Sequence, residues 1–136
     1  MANHQFQADA AGLLNYFWGS FDIKRAATDD LEYLAAASEE AANMAASLSK
    51  QVTGIGCLIL ADRSSSSTAK SGSLQGDSQV HLLFDLANQV EVIGKMAQIG
   101  SDCEYELRRR LSSQLEKRTS RRMPSAEYSS SVMEGA

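Results

Sequence analysis

One helical face of the chain could offer ligands to a divalent metal. Asp77, His81 and Asp85 follow one another at intervals of four residues, a spacing that places all three side chains on one side of a helix. Carboxylate-bridged metal sites in helices typically use a Glu-x-x-His pair, and the sequence contains none. We therefore interpret this face as solvated, with the carboxylates favouring the protonated imidazole.

The sequence lacks the other residue patterns that catalysis usually requires. Gly54 and Gly56 are not followed by the third glycine of a dinucleotide-binding turn or by the lysine of a phosphate loop. The sequence contains no Cys-x-x-Cys, His-x-x-x-His or Gly-x-Ser-x-Gly motif. We therefore expect no enzymatic activity, no cofactor and no bound metal.

A basic segment near the end of the chain is the best candidate for function. The stretch LRRRLSSQLEKRTSRR, residues 107–122, contains seven of the 13 cations of the chain and a single acid, Glu116. Its candidate partner-binding cations are Arg108, Arg109, Arg110, Lys117, Arg118, Arg121 and Arg122. They could dock onto an acidic protein surface, such as the acidic body of another subunit, neutralise nucleic-acid phosphates without reading bases, or attach weakly to anionic lipid. They could also only favour the dipole of a helix end and keep the tail soluble. No aromatic residue stands among them, so stacking on single-stranded bases is not expected.

An aromatic cluster provides a second candidate surface. A first helix is predicted over about residues 5–23, with Phe6, Ala10, Leu13, Phe17 and Phe21 in one apolar stripe that Leu14 and Trp18 widen. Phe17, Trp18 and Phe21 are its candidate partner-binding residues. The helix could equally act as a lid over the protein's own core.

Two longer helices are predicted to form an antiparallel hairpin. The first covers about residues 29–62, is capped at Thr28 or Asp29 with Glu32 in a capping box, and carries a heptad seam. The members of that seam are Leu31, Leu34, Ser38, Ala41, Ala45, Leu48, Val52, Ile55 and Ile59. A serine- and glycine-rich stretch, 63–77, is predicted to be a flexible loop, and residues 119–136 a mobile tail.

The other helix of the hairpin is predicted over about residues 78–118, with a cap near Asp77 or Ser78. Its predicted seam consists of Leu83, Leu86, Val90, Ile93, Ala97, Gly100, Leu107 and Leu111. Ala87, Gly94 and Ser101 form a second row at intervals of seven, which could complement the alanine-rich face of the preceding helix.

The most apolar stretch, QVTGIGCLILADR at residues 51–63, is predicted to be the end of the first long helix. Val52, Ile55 and Ile59 continue the heptad seam, and no second strand is available to pair with it. Cys57, Leu58 and Leu60 would then face away from the seam and need a cover. We expect Cys57 and Cys103 to be free thiols, buried in partly apolar segments.

The overall prediction is an all-α domain over residues 1–118, in which a long hairpin and a short aromatic helix are completed to a four-helix bundle by dimerisation. Residues 1–106 carry 14 acidic and 6 basic side chains, whereas residues 107–136 carry 3 acidic and 7 basic, which indicates a body and a tail with different partners. No signal sequence or span is evident, so we expect a cytoplasmic protein of bacterial or phage type without membrane contact. It would act as a small adaptor, regulator or inhibitor on another protein. The alternative is a nucleic-acid-associated protein that uses segment 107–122.

Overall fold

The computed structural model describes residues 9–64 and 76–122, and all regular secondary structure in these two stretches is α-helical. Helix α1 spans Ala10–Ser20, α2 Thr28–Ala35, α3 Ala37–Ser64 and α4 Gly76–Arg122. Helices α3 and α4 pack against each other as an antiparallel hairpin, which confirms the predicted all-α class and hairpin. Phe6, most of the predicted loop and residues 123–136 lie outside the described residues.

Helix α1 is shorter than predicted at its C-terminal end and presents a different face. Asp9 caps it, since the Asp9 carboxylate accepts a hydrogen bond of 2.7 Å from the Gly12 N–H. Ala11 and Gly12 are the buried residues, whereas Leu13 is 47% and Phe17 65% exposed. The predicted apolar stripe is therefore wrong, because the small residues Ala11 and Gly12, rather than the large apolar side chains of the stripe, are buried where α1 packs on α4.

The long helix predicted over 29–62 is divided in two at Ala36. The Ser38 hydroxyl oxygen lies 2.7 Å from the Ala35 carbonyl oxygen, a side-chain interaction that competes with the helical ladder and favours a bend. The predicted capping box is wrong as well. Ala27 is the N-cap, without a side-chain hydrogen bond, and Thr28 is the first helical residue.

The bend in α2–α3 lies where the chain crosses α4 at Gly100. A Cβ atom on Gly100 would lie 2.7 Å from the Ser38 hydroxyl oxygen and 2.8 Å from the Ser38 Cβ, and still closer to the Ser38 backbone nitrogen. Only glycine permits this approach. The contact between Gly100 and Ser38 therefore fixes the point at which α4 crosses the bend between α2 and α3.

Helix α4 is the central element, since each of the other three helices packs on it. Its 47 residues extend beyond both ends of the predicted helix over 78–118. At 1.5 Å per residue, this helix is about 70 Å long. The other helices are far shorter than this, so they cover only part of its surface.

The face of α4 that meets α3 is rotated from the predicted seam. Half of that seam is correct, since Gly100 is buried and Leu86, Ile93 and Leu107 are half-buried. The other half, Leu83, Val90, Ala97 and Leu111, is exposed. For three of these exposed positions, the residue one position earlier is half-buried instead: Leu82, Met96 and Arg110. Ala87, Gly94 and Ser101 are exposed too, so this row does not contact α3 as predicted.

Burial divides the molecule into a closed and an open part. We call α1, α2, residues 37–48 and residues 92–110 the closed end, because every buried residue lies there. Three members of the seam predicted for residues 29–62 are among these residues: Leu31 in α2, and Ala41 and Leu48 in α3. We call residues 49–64 and 76–91 the distal hairpin. None of its described side chains is fully buried.

The distal hairpin confirms the helical interpretation of residues 51–63. These residues belong to α3, with Ile55 and Ile59 half-buried, while Leu58 is 54% and Leu60 66% exposed. Both cysteines are free, but only Cys103 is buried. The predicted burial of Cys57 is wrong, because its side of α3 has no neighbouring helix in the described part of the chain.

Candidate interaction surface on helix α4

Glu106 is the one buried charged residue in the described part of the chain, and it binds two arginines. Its carboxylate accepts two hydrogen bonds of 2.8 Å from Arg109 Nε and Nη2, and one of 3.0 Å from Arg110 Nε. Hydrogen bonds from Arg109 and then Arg110 lower the pKa of Glu106 from 4.5 to about 2. The same contact raises the pKa of Arg109. The carboxylate therefore stays charged at every physiological pH.

Arg110 ties the connection between α1 and α2 to α4. Its guanidinium donates hydrogen bonds of 2.9 Å to the Ala26 carbonyl and 3.1 Å to the carbonyls of Ile23 and Lys24. The chain turns there because the Asp22 carboxylate accepts from the Lys24 N–H at 3.1 Å. Arg110 is thus a structural residue of the closed end.

Arg108 pairs with Glu104 on the surface. Arg108 Nη2 lies 2.9 Å from Glu104 Oε2, and the Arg108 side chain is 78% exposed. Glu104 Oε1 lies 2.8 Å from the Ser38 hydroxyl, which can donate to it or to Ala35 but not to both at once. Glu104 therefore links Arg108 to the bend between α2 and α3.

The seven predicted binding cations consequently fall into two groups. Arg108, Arg109 and Arg110 are engaged by acids and carbonyls of the closed end. Lys117, Arg118 and Arg121 form no ion pair with any described residue. The side chain of Arg122 lies outside the described residues. The engagement of Arg109 and Arg110 has a signal in the sequence, because Glu106 stands three and four residues before them, a spacing that favours ion pairs on a helix.

Beyond Arg110, α4 continues with no other described element against it. We call residues 111–122 the basic arm. All of its residues through Arg121 are exposed, including Leu111 at 58% and Leu115 at 54%. Lys117, Arg118 and Arg121 stand at positions i, i+1 and i+4, which places them on one helical face. The basic arm is therefore an amphipathic helix whose cations have no acidic partner among residues 9–64 and 76–121.

The predicted aromatic residues belong to the closed end and not to the basic arm, since Phe17 and Trp18 lie in α1 and Phe21 caps it. The rings of Trp18 and Phe21 are stacked at 5.3 Å, and they line a shallow open groove together with Lys24, Tyr105 and Arg109. Phe17 points elsewhere and contacts Tyr16 edge to face at 5.7 Å. The structure thus separates Phe17 from the other two candidates.

The polar face of α4 that contains Asp77, His81 and Asp85 forms no metal site among the described residues. His81 and Asp85 are exposed, and the side chain of Asp77 lies outside the described residues. Across residues 9–64 and 76–122, no group of three or more histidine, cysteine or acidic side chains is arranged to hold a metal ion.

Burial, and secondarily Asp102, raises the pKa of the Cys103 thiol.

One stretch of the chain is long and apolar enough to span a membrane, by length and composition alone. It lies between Thr28 and Ser64, where a window of 18 residues has a mean hydropathy of 1.3 and only 6% of it is buried. Core helices of soluble proteins and signal sequences pass the same test. The cytoplasmic location and the lack of membrane contact therefore stay predictions, and this stretch is the feature that counts against them.

No protein-family model, curated protein or solved structure matches the chain.

Proposed function

We propose that the protein is a non-enzymatic helical interaction protein, a small adaptor, regulator or inhibitor that binds another protein through exposed helix faces and the basic arm. The observation that carries this proposal is the basic arm itself. Its residues through Arg121 are exposed, its two leucines are more than half exposed, and Lys117, Arg118 and Arg121 have no acidic partner in the described chain.

The proposed partner presents an acidic surface with an apolar centre. Leucine side chains supply affinity when their surface is removed from water, at about 25 cal/mol per Å². The cations add orientation and a faster encounter rather than most of the affinity. Two copies of the chain are further proposed to complete a four-helix bundle by dimerisation.

The proposal is tested by charge reversal in the intact chain. Removal of residues 107 onward would also remove Arg110 and loosen the closed end, so we favour the triple variant Lys117→Glu, Arg118→Glu, Arg121→Glu. The matched control is Arg25→Glu, Lys50→Glu, Arg63→Glu, which changes the net charge equally at three exposed positions. Tagged chains would capture partners from a native lysate, with and without nuclease treatment.

A protein partner predicts a defined set of proteins retained by the wild type and the control but lost by the arm variant. Equal capture by all three chains would contradict a role for the basic arm.

A nucleic-acid partner is the alternative, and the shared face of Lys117, Arg118 and Arg121 favours it because phosphates need no more than aligned cations. Its signature is retention on a nucleic-acid column that falls steeply with salt, with a slope of about −0.9 per phosphate contacted on duplex DNA. Loss of the captured proteins on nuclease treatment would point to this alternative.

A further inference from the structure

Helix α4 carries a second heptad seam that is exposed at every position except Glu104, which hydrogen-bonds Ser38 of α3. Its positions alternate steps of four and three along almost the whole helix. They are Leu83, Ala87, Val90, Gly94, Ala97, Ser101, Glu104, Arg108, Leu111 and Leu115. All are exposed except Glu104, which is half-buried. We call this set the open seam.

The open seam has apolar ends and a narrow centre. Leu83 is 65%, Val90 58%, Leu111 58% and Leu115 54% exposed. The centre consists of Gly94, Ala97 and Ser101, and a Cβ atom on Gly94 would meet nothing within 4 Å. Small side chains at the centre permit two helix axes to come close, and leucines at the ends then close over the contact.

We infer that the open seam binds the same seam of a second copy in antiparallel orientation. This inference rests on the proposed dimerisation and specifies its interface. Reversal of the helix about residue 99 superimposes the seam on itself. It pairs Leu83 with Leu115, Ala87 with Leu111, Val90 with Arg108, Gly94 with Glu104, and Ala97 with Ser101.

The register follows from the two ends of the seam. A shift by one heptad in either direction would place Leu83 opposite an arginine, Arg108 or Arg122, instead of Leu115. In the unshifted register the ion-paired Glu104 and Arg108 lie opposite Gly94 and Val90, so the largest polar side chains of the seam meet small neighbours. Their aliphatic stems can pack there while the charged groups reach water.

Charge selects the antiparallel orientation. Residues 76–95 of α4 carry three acids, Asp77, Asp85 and Glu91, against Lys95, whereas residues 107–122 carry seven cations against Glu116. A parallel pair would bring two basic arms together, and like charges along a helix pair are destabilising. The antiparallel pair lays each basic arm along the acidic half of the other α4, so the second copy and a protein partner would compete for Leu111 and Leu115 of the arm.

The interface is tested first by mass. Ala97→Arg inserts a long cation at the centre of the seam, where the monomer is exposed and arginine is compatible with a helix. Ala46→Arg makes the same change at an exposed position of α3 and is the control. In sedimentation equilibrium the wild type and the control should show twice the 14.7 kDa of one chain, and Ala97→Arg should weaken the dimer about 100-fold or more.

Two results would overturn this interface. A dimer that persists in Ala97→Arg, with unchanged helix content by circular dichroism, would place the contact elsewhere, for example on Leu58 and Leu60 of α3. A wild-type monomer would exclude any dimer. In that case arm-dependent partner capture would still support the proposed function, so the two failures are distinguishable.

Orientation is tested by disulfide cross-linking in a Cys57→Ser background, in which the remaining Cys103 is buried. When Leu83→Cys and Leu115→Cys chains are mixed and oxidised, the antiparallel seam predicts a mixed disulfide. It also predicts little cross-linking of either variant alone, since the two copies of residue 83 would lie about 48 Å apart along the helix. Efficient self-cross-linking of Leu83→Cys would mean a parallel pair and would overturn the inference.

Discussion

At the residue scale, Glu106 decides how the basic segment is used. One buried carboxylate holds Arg109 and Arg110, and Arg110 in turn holds the carbonyls of the α1–α2 connection. A buried carboxylate is tolerated only when it is paired and hydrogen-bonded, and Glu106 accepts three hydrogen bonds from the two guanidinium groups. A run of three arginines that looks like a binding patch is thus partly an internal brace.

Glu106 predicts a loss of stability in acid. Its pKa is about 2 in the folded chain against 4.5 for an ordinary glutamate. A lowered folded pKa stabilises the protein fully above pH 4.5, and this stabilisation is lost as the pH falls from 4.5 toward 2. Urea unfolding followed by circular dichroism should therefore show a steeper decline between these two pH values for the wild type than for Glu106→Gln.

The control for this pH experiment is Glu39→Gln at an exposed position of α3, which should decline like the wild type. Parallel pH profiles for the wild type and Glu106→Gln would show that the Glu106 pairing does not contribute to stability.

Arg110 predicts a larger effect on stability than its exposed neighbour. Arg110→Ala removes hydrogen bonds to three carbonyls and one carboxylate and should lower the free energy of unfolding by about 2 kcal/mol or more. Arg108→Ala, whose side chain is 78% exposed, should cost less than about 0.5 kcal/mol. If chemical denaturation showed equal losses of unfolding free energy for the two variants, the hydrogen bonds of Arg110 would not stabilise the closed end.

At the element scale, the decisive feature is which face of each helix is buried. Periodicity predicted the helices. In α2 and α3 it also placed Leu31, Ala41 and Leu48 in the core, whereas Ala45 and Val52 of the same predicted seam are exposed. For α4 it predicted a seam in which half of the positions, Leu83, Val90, Ala97 and Leu111, are exposed. Two heptad seams run along this helix, and the apolar pattern alone does not say which of them meets α3. The close approach of Gly100 to Ser38, a contact between residues far apart in sequence, makes that choice.

The crossing at Gly100 predicts opposite signs for two glycine substitutions. Gly100→Ala would force its Cβ against Ser38 and should lower the free energy of unfolding by about 1 to 3 kcal/mol. Gly54→Ala meets nothing within 4 Å and should raise it by about 0.5 to 1 kcal/mol, because alanine favours a helix over glycine. Thermal or urea unfolding measures both changes, and a neutral Gly100→Ala would refute the close crossing.

At the scale of the whole molecule, the chain is closed at one end and open along the rest of α4. Composition predicted an acidic body over residues 1–106 and a basic tail over residues 107–136. In the structure, Arg108, Arg109 and Arg110 pair with acids of the closed end, so they belong to the body rather than to the tail. The basic arm could be predicted from sequence because it needs only local spacing. The aromatic face could not, because the packing of Ala11 and Gly12 on α4 turned Phe17 away from it.

We propose that α4 beyond the closed end is covered by other molecules and not by the chain itself. Amide hydrogen exchange on the full chain tests it most directly, because local opening reports which helical segments are supported by packing. In dilute solution, residues 99–106 should exchange slowest and the basic arm fast. At higher concentration, residues 83–97 and 111–115 should become protected while 99–106 change little. Slow exchange of the basic arm in the dilute chain would contradict the claim, because the chain would then cover its own arm.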